Sequence, residues 1–150
     1  MKRTAAVEAA RQFSHERGLR LTALRLAMLE EVAENGPIGA YRLMVLLGDR
    51  LGRRIDPPTA YRALDFLMGA GLCSRLGSKG AYVIRERPGQ EKISILLLCD
   101  CCGTSVQYEE AEIQQLVEHA AAARGFRVGT PIIECSGTCA RCAGNREAIG

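Results

Sequence analysis

Tryptophan is missing from these 150 residues, histidine occurs twice, and Phe and Tyr together make up 5% of the chain. The longest uncharged apolar run, Ile93 to Cys99, is far short of the ~20 residues that a membrane span needs. The opening Met1-Lys2-Arg3-Thr4-Ala5-Ala6 has basic residues with no long apolar stretch after them, so no secretory signal is expected. No Ser/His/Asp set, phosphate-cradling loop or pair of carboxylates suggests catalysis, and an enzyme is not expected. The two histidines, His15 and His119, fall on expected helices and read as surface residues. There is no internal repeat and no low-complexity tract.

What is present is a globular composition, 47% hydrophobic and 25% charged. The length suits one ordinary domain, or two small ones of about 80 and 60 residues. Seven cysteines are many, and an odd number argues against a closed disulfide framework. Without an export signal, a reducing cytoplasm is the expected location, where clustered Cys more often bind metal. Net charge is +3, but it is unevenly spread. Residues 1–85 hold 14 Lys/Arg against 8 Asp/Glu, a balance of +6, whereas residues 86–150 hold 6 against 9, a balance of −3. A basic half joined to an acidic half fits a protein of which one part meets a polyanion.

The first half reads as helices. Thr4 can cap a helix over Ala5–Arg17 that stops at Gly18, and Thr22 a second over Ala23–Asn35. A third spans Ala40–Leu51. The run Asp56-Pro57-Pro58-Thr59 opens a fourth, with an N-cap carboxylate followed by Pro where a missing N–H costs nothing. That helix runs to about Met68 with Ala60, Leu64 and Leu67 inward. Leu72–Leu76 and Ala81–Ile84, joined by Gly77-Ser78-Lys79-Gly80, read as a hairpin. The charged, turn-rich run of residues 85–92 reads as a hinge between a first domain, 1–84, and a second, 93–150. In the second, strands are expected over Ile93–Leu98, Ser105–Tyr108 and Phe126–Cys135, a helix over Glu109–Arg124, and a short tail over Cys139–Gly150.

Short helices followed by a two-stranded hairpin make a winged helix-turn-helix, with the helix after Pro57-Pro58 as reader. Arg62 can fork onto guanine O6 and N7, and the Thr59 hydroxyl and free helix N–H groups suit phosphate. Tyr61 shares the exposed side, and Lys79 at the hairpin tip can reach a phosphate or the minor groove. In the second half, Cys99-x-x-Cys102 and Cys139-x-x-Cys142 form two hooks 37 residues apart. Four thiolates in this pattern suit one closed, structural zinc, since a catalytic zinc keeps a position open. Cys101 and Cys135 stand outside the hooks, and Cys73 reads as a small core residue.

Three groups of residues resemble the ferric uptake regulator family: Leu19-Arg20-Leu21-Thr22 with Arg25, Ala40-Tyr41, and the run Pro57-Pro58-Thr59-Ala60-Tyr61-Arg62-Ala63-Leu64-Asp65-Phe66-Leu67. Together with the cysteine hooks they look most similar to its zinc-uptake branch, over roughly residues 15–143. The resemblance implies an α+β fold, with an N-terminal winged-helix DNA-binding domain and a small C-terminal α/β dimerisation domain. It implies a homodimeric repressor of metal-uptake genes, binding an AT-rich inverted repeat of double-stranded DNA. No membrane or small-molecule substrate is implied. Tyr41, Tyr61 and Arg62, with Arg20 and Arg25, would contact DNA, and Asp49 and Arg50 would link neighbouring dimers.

The chain departs from the family at one place. The second, exchangeable zinc of such proteins takes His, Cys, His and Glu at positions that here hold Ser74, Arg85, Lys92 and Gln107. None is a normal zinc ligand. Two alternatives to a zinc-responsive repressor stay open. One is a regulator that is metal-independent or responds through a free thiol; the other is a zinc-stabilised protein-interaction module.

Overall fold

The structure is a computed structural model that describes residues 2–90, 92–129 and 132–147, with side chains from 4 to 145. The chain divides into two compact units, residues 1–90 and 91–150.

In the first unit, α1 (Lys2–Glu16), α2 (Ala23–Asn35), α3 (Ala40–Leu51) and α4 (Pro57–Gly69) pack with a small sheet. The sheet is formed by β1 (Ile38–Gly39), β2 (Cys73–Leu76) and β3 (Ala81–Ile84), in the order β1-β3-β2 and antiparallel throughout. Helices α2 and α4 begin at side-chain caps. Thr22 Oγ1 accepts from the Arg25 amide at 3.3 Å, and Asp56 Oδ2 accepts from the Thr59 amide at 3.1 Å. Met28, Leu29, Leu43, Leu47, Leu64, Leu67 and Leu72 are almost wholly buried in one core. Each such side chain contributes about 1.5–3 kcal/mol of apolar burial. On α4 the inward residues Ala60, Ala63, Leu64 and Leu67 recur at helical spacing, which leaves Tyr61, Arg62 and Asp65 outward.

The second unit holds β4 (Ser94–Cys99), β5 (Ser105–Glu109), α5 (Ala111–Ala122), β6 (Ile132–Gly137) and α6 (Ala140–Glu147). Its sheet order is β5-β4-β6, with β4 antiparallel to β5 and parallel to β6.

The architecture is the expected α+β one, with differences in detail. Thr4 lies inside α1, not at its cap. Strand β6 starts at Ile132 rather than Phe126. The reason is local: the Phe126 amide still donates to the Ala121 carbonyl at 2.9 Å, so the chain is closing α5 there and cannot yet pair with β4. The expected tail forms α6 as far as Glu147, because Ala143 N–H finds the Cys139 carbonyl at 2.9 Å. Residues 148–150 of that tail lie outside the described residues, as do Thr130 and Pro131 of the expected strand and Glu91 of the expected hinge. Among the described residues, no helix is long and apolar enough to cross a membrane.

Candidate metal centre and nucleic-acid interface

The parallel pairing of β4 with β6 builds the metal centre. Its register sets Cys99 beside Gly137, so the two cysteine hooks leave the same end of the sheet. The first hook is a tight turn. Cys99 N–H donates to the Thr104 carbonyl, Gly103 N–H donates back to the Cys99 carbonyl, and Gly103 takes φ +71°, which a side chain would resist. Asp100 N–H donates to the Gly137 carbonyl at 2.9 Å, joining this turn to the second hook. There Cys139 precedes α6 and Cys142 sits in its first turn.

The four Sγ atoms of Cys99, Cys102, Cys139 and Cys142 lie within 4.8 Å of one another. Cys102 and Cys139 are 3.8 Å apart at sulfur. Thiolates about 2.3 Å from one zinc, at tetrahedral angles, stand about 3.8 Å apart, so the set fits that ion. Within the cluster the thiols are shifted in opposite directions. The Thr104 hydroxyl, 3.2 Å from Cys102 Sγ, and the Thr104 amide hold the Cys102 thiol down at about 5, with Arg141 adding to the effect. Cys142 is pushed up, chiefly by Cys102 and then Cys139, so the protons belong to the set rather than to single residues. Four sulfur ligands leave no open position, and the role this suits is structural. Sequence reasoning missed Thr104 and Arg141. The only signal for them was their place, two residues after one hook and inside the other.

Cys101 and Cys135 are exposed and outside the cluster. Cys73 is buried on β2, and burial pushes its thiol up to about 12. His15 and His119 are both exposed.

The residues expected to meet DNA lie in the first unit. Tyr41, in the first turn of α3, is 79% exposed, and Tyr61 on α4 is 46% exposed. Arg62 is exposed beside Tyr61, Thr59 is half-buried at the α4 N-terminus, and Lys79 is exposed on the turn between β2 and β3. Arg20 is exposed ahead of α2. Arg25 is engaged within the protein: its guanidinium lies 3.5 Å over the Phe66 ring, and Nη1 donates to the Arg20 carbonyl at 2.8 Å. It therefore ties the Arg20 segment to α4, a role that sequence reasoning did not find.

Asp49 is exposed near the end of α3, whereas Arg50 forms ion pairs with Glu30 and Glu31 of α2. Of the four positions where the family's exchangeable metal would bind, Ser74 is half-buried on β2. Arg85 is buried and donates Nη2 to the Gln90 carbonyl at 3.3 Å. Lys92 pairs with Glu109 at 3.8 Å, and Gln107 Nε2 donates to Ser94 Oγ.

No protein-family model matches the chain. Over 130 residues, 85% of this chain and 75% of the relative, it is 37% identical to the zinc uptake regulation protein of Escherichia coli (strain K12). It is 30% identical to the ferric uptake regulation protein of the same organism over 125 residues, 82% of this chain and 83% of the relative. Among solved structures it resembles a zinc uptake regulator complexed with zinc and DNA, with a TM-score of 0.86 and 30% identity, over 98% of this chain and 99% of that one. Identity at this level along most of both chains, with a four-cysteine cluster at the sheet end, places this chain in the ferric uptake regulator family, on its zinc-uptake side.

Proposed function

We propose that this protein is a dimeric, DNA-binding transcriptional repressor of zinc-uptake genes, with one structural zinc per chain. The observation that carries this reading is the likeness, along nearly the whole chain, to a zinc uptake regulator complexed with zinc and DNA. The four-cysteine cluster supports the structural zinc, held by Cys99, Cys102, Cys139 and Cys142. In this reading the second unit is the dimerisation domain and the first is the reader. Helix α4 enters the major groove. Arg62 takes a guanine edge, and Thr59 and the α4 N-terminus take a phosphate. Tyr41, Tyr61, Arg20 and Lys79 add contacts to the backbone, while Arg25 holds the Arg20 segment against Phe66.

A two-fold dimer reads an inverted repeat, which is AT-rich here by resemblance. Such a protein works in the cytoplasm, where DNA is reached and thiols stay reduced, and it performs no chemistry on a substrate. Selection of bound duplexes from a random library tests the reading. The expected outcome is a single enriched site with a dyad; enrichment without a dyad, or none, refutes it.

A specific observation favours a second reading of the signal. Arg85 and Lys92, always or nearly always cationic, and the neutral Ser74 and Gln107 stand where an exchangeable zinc would need ligands. Each of the four already has a place or partner of its own within its unit. The repressor then binds DNA without an added regulatory zinc.

A further inference from the structure

The run of residues 85–90 is charged and rich in turn formers, the composition of a free connector, yet it is built into the first unit. Two attachments hold its ends. The Arg85 amide donates to the Leu72 carbonyl at 2.9 Å, just beyond the β2–β3 pairing. The Arg85 guanidinium, on a residue only 7% exposed, donates Nη2 to the Gln90 carbonyl and so closes the run into a loop.

Between those ends Gly89 meets Phe13 of α1. A Cβ built on Gly89 would fall 2.9 Å from Phe13 Cδ2 and closer still to Cε2. Gly89 also has φ +78°, so a side chain is disfavoured there twice over. The ring is not loose. Phe13 packs against the core of the first unit, and the Arg17 guanidinium stands 5.1 Å from its centroid.

We propose that residues 85–90 form a clasp, closed by Gly89 on Phe13 and by Arg85 on Gln90, which fixes without metal the point where the chain leaves the DNA-binding unit. The function assigned to it rests on the reading that Ser74, Arg85, Lys92 and Gln107 hold no exchangeable zinc; its existence does not. A flexible run of six residues would spread its far end over roughly 13 Å. The clasp replaces that spread with a defined exit. An exchangeable ion makes such order depend on its concentration, whereas a guanidinium stays charged and in place at every zinc level.

The test is cleavage of the full-length, zinc-loaded protein by a glutamate-specific protease at Glu86. That side chain is exposed, but its backbone must leave the clasp to be cut. Gly89→Ala is expected to speed the cut about fivefold or more, since local opening governs the rate. Phe13→Ala opens the same clasp, so the double variant is expected to be cut no faster than the quicker single one. Gly77→Ala, whose Cβ meets nothing within 4 Å, is expected to leave the rate unchanged. A thermal melt confirms that Gly89→Ala still folds; should Phe13→Ala not fold, Gly89→Ala against Gly77→Ala carries the test alone.

Wild-type protein cut as fast as Gly89→Ala overturns the clasp. So does protection of Glu86 that appears only on adding micromolar zinc. Strong zinc activation of DNA binding with Glu86 protection unchanged leaves the clasp standing and overturns the metal-independent reading instead.

Discussion

The amide of Cys139 donates to the sulfur of Cys99 at 3.3 Å. Beside the Asp100–Gly137 bond and the β4–β6 pairing, this contact links the two cysteine hooks at the end of the β5-β4-β6 sheet and points a backbone donor at a ligand sulfur. Metal binding there is folding energy on the order of 10 kcal/mol, so losing one sulfur should cost most of the site. Cys99→Ser, Cys102→Ser, Cys139→Ser or Cys142→Ser is expected to reduce zinc to well below one per chain and to melt the second unit first. Cys101→Ser and Cys135→Ser are expected to keep zinc near one per chain. Elemental analysis beside a thermal melt reads both outcomes, and an empty site in either of the last two variants would reassign the ligands.

Arg62 stands outward on α4 while its neighbours Ala63 and Leu64 are buried. Arg62→Ala is expected to weaken specific DNA binding by about 1–3 kcal/mol and to flatten discrimination at one base position. Folding should be untouched. Anisotropy titrations on the selected and a scrambled duplex measure this; equal losses on both would make Arg62 a phosphate contact.

Arg50 ties α3 to Glu30 and Glu31 of α2, and Glu31 is largely buried, with its side chain 12% exposed. Removing the cation leaves a mostly buried carboxylate, to which Asn35 Nδ2 still donates at Glu31 Oε2, 2.9 Å away. Arg50→Ala is expected to destabilise the first unit by about 1–2 kcal/mol, the Glu30 share being small because that pair is solvent-exposed. The denaturation midpoint of the isolated dimer without DNA reads this. An unchanged midpoint would return Arg50 to a role between neighbouring dimers.

Cys73 is the buried thiol of the first unit, with its pKa raised from about 9 to about 12. It should resist alkylation near neutral pH, where Cys101 and Cys135 react, because the thiolate is the nucleophile. The sign for stability follows. Between about pH 9 and 12 the folded protein keeps a proton that the unfolded chain loses, so stability falls as pH rises, by about 1.4 kcal/mol per unit. Cys73→Ala is expected to flatten that alkaline limb. Rapid labelling of Cys73 in the folded protein would instead support a thiol-responsive regulator.

With the structural site filled, DNA affinity is expected to change less than about threefold between chelator and micromolar zinc, because a ligand shifts an equilibrium only by its differential affinity for two states. A gel shift at both conditions measures it. Tenfold activation would mean a second zinc site.

Much of this was legible in the sequence where one local rule decided the outcome. Asp56-Pro57-Pro58 fixed the start of α4 to the residue, and the x-x spacing of the cysteine hooks found all four clustered sulfurs. The misses came where a distant partner decided. Phe126 and Val128 alternate with Arg127 as in a strand, but the end of α5 captures the Phe126 amide. The boundary between the two units, at residues 90 and 91, falls inside the expected hinge, but nothing local announces that Gly89 will meet a ring in α1. Nor does anything in the sequence show that Phe66, 41 positions later, lies beneath the Arg25 guanidinium.

The parallel pairing of β4 with β6 has a consequence for how the protein is made. Parallel neighbours cannot be joined by a tight turn, and here α5 and the residues around it must be synthesised between them. The first unit has its core complete before β6 exists, and chains fold N-terminal domain first during synthesis. The DNA-reading half can therefore mature on the ribosome while the metal site is still half made. The site itself is complete only when Cys139 and Cys142, the last of its ligands to be made, come to lie beside Cys99 and Cys102.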